Sequence, residues 1–413
     1  MAMASPARST QVAVVPGLAG APDSGGVPGA DSTTPPVLWA LLFGNFVIGT
    51  GVMTVPGNLN YISASLEVTI PVAGQLISVS SILMCFAAPL LASVVAGWDR
   101  RRLLAYCMLW FAVLHVICAF APGFTSLLLL RCAAMLAAAV YTPQAAACVG
   151  LLVPENQRAR AITLVLMGWS VASVLGMPLG SWIGGQFGWR SAFVVIAVLS
   201  LVSSAWIVWR MPNGIRPTPF SAALWHQILA SKAIIWCLVV TVLSATGQFV
   251  LFAYFAPYLK HVADVTPSQL SLYFAWFGAI GLLGNVLLTR SIGNWGTDTA
   301  AFISIALMAL SFLLWPLGTG LWLVGLVSVP WALGCFASNS AQQARLVGIA
   351  PGLAGGTVAL NSAGMYAGQA IGAASGGALI NQGYILDLHW AGLVLLVLGL
   401  LASWWTQRYS NPL

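Results

Sequence analysis

Groups able to do chemistry are scarce in this 413-residue chain, in which only 6% of residues are charged. The densest cluster is AGWDRRRLLAY, residues 96–106, where Asp99 directly precedes Arg100, Arg101 and Arg102. A second, VPENQRARAITL, gathers Glu155, Arg158 and Arg160. An acid beside a helix N-terminus is drawn to the partial positive charge there, and arginines hold carboxylates or lipid phosphates through paired N–H donors. The chemistry offered is electrostatic joining of segments, although an ordinary membrane anchor would also account for the arginines. Arg131 stands alone in the apolar run LLLLRCAAMLAAAV, and His115 in LWFAVLHVICAF. His115 has a side chain that titrates near neutral pH, with a packed neutral ring as the alternative. No HExxH or GxSxG element occurs, and no CxxC pair or clustered histidines. Cysteines 85, 107, 118, 132, 148, 237 and 335 lie mostly inside apolar runs, as buried structural thiols do. No enzyme, metal site or cofactor is therefore expected.

The elements that position these groups follow from the rest of the chain. Sixty percent hydrophobic residues and a mean hydropathy of +0.93 lie far from soluble proteins, in which roughly a quarter of residues are charged. The apolar runs are continuous rather than alternating, which selects membrane-spanning helices of roughly 20 residues over a barrel. Runs between charges and turn signals place spans at 37–57, 70–96, 103–121, 124–152, 159–184 and 191–209, then at 233–258, 268–290, 299–317, 319–343, 355–383 and 389–407. Residues 1–36, rich in Gly, Pro, Ala and Ser, form a flexible tail, with residues 408–413 as a short second tail. The fold class expected is an all-α polytopic membrane protein with twelve helices in two pseudo-symmetric six-helix bundles, 37–209 and 233–407, joined by the polar linker 210–232.

Arg8, Arg100, Arg101, Arg102, Arg158, Arg160, Arg210, Arg216, Lys232, Arg290, Arg345 and Arg408 fall on one side of these spans, and only Arg190 and Lys260 on the other. This asymmetry places both termini in the cytoplasm. It also accounts for the net charge of +7 without a nucleic-acid partner. Shifting the chain by 196 residues superposes Gly168, Gly176, Gly180 and Gln186 on Gly364, Gly372, Gly376 and Gln382, so the fifth span repeats in the eleventh. Two similar halves about an axis along the membrane normal are a transporter architecture, with the substrate between them.

The DRRRLL run resembles a shortened form of the signature loop of the major facilitator superfamily, roughly G-x-x-x-D-R-x-G-R-R, with Val95 in place of the first glycine and the internal glycine missing. LLLLRCAAMLAAAVYTPQ resembles that family's fourth span with its buried arginine, and VPENQRARAITL the loop that follows it. GWSVASVLGMPLGSWIGGQFGWR resembles the fifth-span signature of exporters, with Gly168, Gly176, Pro178, Gly180 and Gly184. QFVLFAYFAPYL and NSAGMYAGQAIGAASGG are similar to spans seven and eleven of the arabinose-efflux-permease-like branch, so the resemblance covers about residues 37–407. It implies a twelve-span exporter of a drug-, sugar- or metabolite-like molecule, working by alternating access as a proton antiporter and conferring drug resistance. The implied setting is a bacterial inner membrane, with a monomer, the lipid bilayer and a small-molecule substrate as partners. Arg131 would then couple protons or steady the substrate, and Gly176, Pro178 and Gly180 would form a kinked seam. Simple tight packing explains the same glycines.

Two departures from the family pattern matter. The first span, FGNFVIGTGVMTVPGN, carries no carboxylate, and none falls in the middle of any span. Proton antiport through a buried acid is therefore in doubt, which keeps a passive facilitator or an uptake transporter of the same fold as the alternative. In the second half, Gly293 and Asn294 stand where an acid–arginine pair is expected, which confines the charged latch to the first half. Asp99 is expected to dock at the start of span eleven, around 355–358, and Arg100 to pair with Glu155. Cavity candidates from mid-span positions are Asn45, Thr50, Arg131, Gln248, Tyr254, Trp331, Asn339, Asn361, Tyr366 and Gln369. Their amides, hydroxyls and flat rings suit a neutral or anionic compound, and helix-packing glue is the alternative for each.

Overall fold

The computed structural model describes residues 36–95, 97–154, 157–216, 222–350 and 353–410. The expected tails fall almost wholly outside this set, as does Glu155. All regular structure among the described residues is helical. The first half contains Pro36–Ser65, Ile70–Val94, Arg100–Ala119, Phe124–Leu152, a fifth span running from Arg158 to Phe187, and Trp189–Arg210. A short helix, Ala222–Ala230, precedes span seven, Lys232–Phe252, which continues into Phe255–Ala263. Spans eight and nine run through Pro267–Leu314 and meet at Gly296, whose φ of 79° is open to glycine without strain. Leu321–Val327 and Val329–Ile349 form a tenth span bent by 42°, followed by Ala354–Asn381 and Leu388–Ser410.

By length and composition, ten of these helices can cross a membrane, or eleven with the bent pair counted as one. The helix that makes twelve is Ala354–Asn381, 28 residues long and about 42 Å in extent. Its run AGGTVALNSAGMYAGQAIGAASGG is diluted by small and polar residues because it packs between spans two and seven rather than facing lipid. The turn expected near Gly318–Gly320 is present, between a 3₁₀ turn at Trp315–Leu317 and the tenth span. Span one is longer than its expected 37–57, because NLNYISAS continues the helix without a breaker.

Local chemistry sets several boundaries. Span eight starts at a capping box: Thr266 accepts from the Gln269 N–H at 3.3 Å, and the Gln269 side chain accepts from the Thr266 N–H at 2.8 Å, with Pro267 next in the chain. In span five, Pro178 has no N–H to give the carbonyl four residues back. The helix widens into a π turn over Ala172–Gly176, in which the Met177 N–H bonds to the Ala172 carbonyl. The expected proline kink is thus resolved as a π turn.

The 196-residue repeat extends from sequence into packing. A Cβ on Gly176 would fall 2.0 Å from the Thr50 hydroxyl of span one, and one on Gly372 would fall 2.6 Å from the carbonyl of Thr246 in span seven. Thr246 is Thr50 displaced by the same 196 positions. Spans one and five therefore pack as spans seven and eleven do. The second-half core centres on Trp331, whose ring lies 4.9–6.0 Å from those of Phe252, Phe255, Phe277, Phe312 and Trp315. Aromatic pairs at such spacing add about 0.5–1.5 kcal/mol each beyond burial.

Candidate functional site: two polar clusters and the seam between the halves

Asn45, wholly buried in span one, donates to the Val165 carbonyl of span five at 3.1 Å and accepts from the Thr142 hydroxyl of span four at 2.8 Å. The Trp169 indole N–H closes this chain on the Thr142 hydroxyl at 3.2 Å. The second half answers it. Thr241 of span seven donates to the Asn361 amide oxygen at 2.7 Å, and Asn361 of span eleven donates to Asn339 of span ten at 2.9 Å. Positions 241 and 361 are 45 and 165 moved by 196, and Asn339 lies one residue beyond the image of Thr142. Asn45 and Asn361 are sealed, whereas Thr142, Trp169 and Asn339 are half-buried. Each half thus carries a neutral amide and hydroxyl cluster at the junction of three spans, with its inner members satisfied and its outer ones accessible.

Of the sequence candidates, Asn45, Asn339 and Asn361 belong to these clusters. Thr50 does not: its hydroxyl turns back to the Phe46 carbonyl at 2.8 Å, and its side chain fills the space left by Gly176. Trp331 lies in the aromatic core. Tyr254 is buried, and its hydroxyl donates to the Ala373 carbonyl at 2.7 Å while lying against Gly74 and Gly377, so it packs span seven against spans two and eleven. Tyr366 is buried against the first-half core, Gln369 is buried and Gln248 is half-buried. Thr142, Trp169 and Thr241 escaped the sequence reading, although extending the 196 shift from the fifth span to the first would have paired Asn45 with Thr241.

Arg131 faces the bundle interior and is 2% exposed. It donates to the Val52 carbonyl of span one at 3.3 Å and approaches His115 Nε2 of span three at 3.4 Å. His115 Nδ1 lies 2.8 Å from the Phe111 carbonyl, which can only accept, so that nitrogen carries the proton and Nε2 presents its lone pair to the guanidinium. His115 is a neutral packed ring, and it holds the arginine in place. Both partners of Arg131 are neutral, and its Nε has no hydrogen-bond partner among the described residues.

The two halves meet closely at the face opposite the outer ends of spans one and twelve, Pro36 and Ser410. Ser271 of span eight donates to the Pro178 carbonyl of span five at 2.8 Å. A Cβ on Gly278 would fall 2.4 Å from the Ser173 carbonyl in the π turn. Gly185 lies against Pro267 and the Tyr61 hydroxyl, and Gly377 against Pro71. Spans five and eight stay together along Ala172–Phe187 and part along Arg158–Val171, toward the face of Pro36 and Ser410. The seam between spans five and eight is closed at one face and open at the other, while spans two and eleven also pack closely across the halves.

The charged loop differs from expectation. Asp99 does not dock on span eleven: one carboxylate oxygen caps its own helix by accepting from the Arg102 N–H at 3.2 Å, and the other accepts from the Gly214 N–H of the linker. Arg100 is 2% exposed and donates to the Val95 and Trp98 carbonyls at 2.8 and 3.3 Å, closing the end of span two, while its own N–H meets the Ile215 carbonyl at 3.0 Å. Its expected pairing with Glu155 falls outside the described residues. Arg101 is half-buried, Arg102 and Arg158 are exposed, and the Arg160 side chain is outside the described set. The loop reaches the nearby linker because cap and linker amides are close at hand, whereas span eleven would require the halves to close at this face. Desolvation alone would raise the Asp99 carboxyl, but the backbone N–H groups of Gly214, Arg102 and Arg101, with the Arg102 charge, hold it below its ordinary value. A depressed carboxylate contributes stability above the unfolded pKa and loses it as pH falls through the folded one. Asp99→Ala is expected to lower stability by about 1 kcal/mol at neutral pH, the usual cost of a lost N-cap, and by progressively less on acidification. Thermal unfolding across pH checks this.

A second charged joint was missed. Arg345, 2% exposed in span ten, forms an ion pair with Asp298 of span nine and donates to the Ser403 hydroxyl and carbonyl of span twelve at 3.3 and 3.4 Å. The charged joint is therefore not confined to the first half.

The chain matches the family model described as Major Facilitator Superfamily over residues 41–355. It is 28% identical to the inner membrane transport protein YdhP of Escherichia coli strain K12, covering 87% of this chain and 94% of that one. It is 27% identical to a probable sugar efflux transporter of Helicobacter pylori strain J99, covering 88% and 92%. Among solved structures it is similar to a bacterial homologue of the human lysosomal transporter Spinster in an inward-facing, unoccupied conformation, with a TM-score of 0.73, 17% identity, and 91% and 98% coverage. The D-xylose–proton symporter gives a TM-score of 0.72 at 16% identity, covering 89% and 97%. Paired polar clusters in two repeated bundles, a seam sealed at one face, and this match over most of its length place the chain in the Major Facilitator Superfamily.

Proposed function

We propose that this transporter exports a small, neutral, hydroxyl-bearing molecule by alternating access, binding it between the Asn45–Thr142–Trp169 and Thr241–Asn339–Asn361 clusters. The observation that carries the reading is the pairing of these clusters by the 196-residue repeat. A ligand held between such surfaces meets amide and hydroxyl groups from both halves and an aromatic face at Trp169, a set suited to a sugar or polyol. Relatives named as efflux transporters support the direction. The arginine asymmetry supports cytoplasmic termini in a bacterial inner membrane, so the splayed face opens to the cytoplasm. The protein acts as a monomer.

Proton antiport is the proposed coupling, and one observation favours the passive alternative. Among the described residues, Asp298 is engaged by Arg345, and no carboxylate stands deep in a span. Inverted vesicles energised by respiration separate the two readings with a panel of labelled sugars and polyols. The proposal predicts uphill uptake into the vesicles that an uncoupler abolishes, and loss of most of that uptake in Asn361→Leu. Downhill flux alone, unaffected by the uncoupler, would establish the passive reading.

A further inference from the structure

At the face opposite Pro36 and Ser410, two shallow, open crevices share one residue, Arg190, at the start of span six. One, about 580 Å³, is apolar, and Phe120, Pro122, Val194 and Val195 line it between spans three and six. The other, about 570 Å³, is more polar, and Tyr61, Ser65, Gly184 and Gly188 contribute to it. The Phe120 ring is 76% exposed and Val194 is 41% exposed, so the apolar crevice opens to the hydrocarbon side of the fold. Arg190 is held at the junction: Nη1 donates to the Ser65 hydroxyl at 3.0 Å, Nη2 to the Ala121 carbonyl at 3.2 Å, and the guanidinium lies 4.3 Å from the Trp189 ring centroid. A guanidinium has five N–H donors, so these two bonds leave others to give. Among the described residues, the Lys and Arg side chains at this face are Arg190 and Lys260, and Lys260 is paired with Asp264. No carboxylate pairs with Arg190 among the described residues.

We infer that this pair of crevices is a binding site for one anionic glycerophospholipid of the adjacent leaflet. Its phosphate rests on Arg190, its headgroup hydroxyls meet Ser65 and Tyr61, and an acyl chain lies on Phe120, Val194 and Val195. An apolar groove, a fixed unpaired cation and a polar crevice occur in the order of a lipid's chain, phosphate and headgroup. A free phosphate would use only the cation. Because span one and span five contribute to the polar crevice, the lipid sits beside the sealed end of the seam and bears on its opening.

The test is native mass spectrometry of the full chain, delipidated and titrated with phosphatidylglycerol or phosphatidylcholine of identical acyl chains. Phosphatidylglycerol is expected to bind about tenfold tighter, because phosphatidylcholine carries the same phosphate but brings a quaternary ammonium beside Arg190 and has no headgroup hydroxyl for Ser65 or Tyr61, and excess inorganic phosphate should not displace it. Arg190→Ala should weaken the binding of both lipids and shrink the preference. Val195→Trp, which fills the apolar crevice and leaves Arg190 in place, should weaken phosphatidylglycerol binding while the protein stays folded. Equal binding of the two lipids, an undiminished preference in both variants, or displacement by inorganic phosphate would overturn the assignment.

Discussion

Gly278→Leu is expected to cut transport by tens-fold or more while leaving a folded, membrane-inserted protein. Gly278 is the point at which span eight rests on the backbone of the span-five π turn. A Cβ there would fall 2.4 Å from the Ser173 carbonyl oxygen and 2.7 Å from its carbon, and neither can rotate away as a side-chain tip would. Overpacking of this kind costs about 1–3 kcal/mol. The contact lies between the halves, so the cost falls on the sealed conformation and spares the packing within each bundle. A bias of about 2 kcal/mol moves a two-state population by roughly thirtyfold, and a carrier that must visit both states loses turnover accordingly. Gly293→Ala is the control, since nothing stands within 4 Å of a Cβ at that position. Initial transport rates in vesicles, normalised to inserted protein, measure the effect.

The second large effect concerns stability. Asp298→Asn removes the charge opposite Arg345, whose side chain is 1% exposed and whose remaining contacts are the neutral groups of Ser403. Removing one partner of a buried pair costs about 3–5 kcal/mol, because the other charge stays buried without compensation. Asp298, at 36% side-chain exposure, is partly screened by solvent, which sets the expectation at the lower end, near 3 kcal/mol. The double variant Asp298→Leu with Arg345→Met should recover most of that loss, because it removes the stranded charge and its acceptor together. Thermal unfolding of the single and double variants in one detergent gives the coupling. A double variant as unstable as Asp298→Asn would mean that the joint works through packing rather than charge.

These two sites differ in how far the sequence disclosed them. The glycines of spans five and eleven were legible because a repeat of small residues leaves a linear trace, and the structure turns that trace into matched helix pairs. Most of the helices were legible because apolar length is a local property, although NLNYISAS carried span one beyond its expected end, and span eleven was marked by its glycine repeat as well. Tertiary partners leave no such trace. Asp298 reads as the polar start of span nine until span ten brings Arg345 against it. Tyr254 and Trp331 read equally well as ligand-facing rings or as core, and packing against Gly377 and Phe277 decided for core. Asp99 was expected on span eleven because the acid suits any helix N-terminus. Its own helix and the linker amide at Gly214 are nearer, and they capture it.

The His115–Arg131 pair shows the limit of reasoning from residue type alone. A histidine beside a membrane arginine suggests a proton relay. The hydrogen bond from Nδ1 to the Phe111 carbonyl instead fixes a neutral tautomer that serves the guanidinium as an acceptor. An arginine inside a membrane costs roughly 3 kcal/mol or more, and here neutral acceptors from spans one and three offset part of that cost.

The central claim is that sealing at one face and splaying at the other are exchanged during transport. Spin labels at positions 64 and 264 report the face opposite Pro36 and Ser410, and labels at 158 and 348 report the face that bears those helix ends. All four positions are exposed. Double electron–electron resonance on the native background and on Gly278→Leu is the direct measurement. The account predicts that Gly278→Leu lengthens the 64–264 distance and shortens the 158–348 distance, a reciprocal change. Two distances that stay fixed, or that lengthen together, would contradict it.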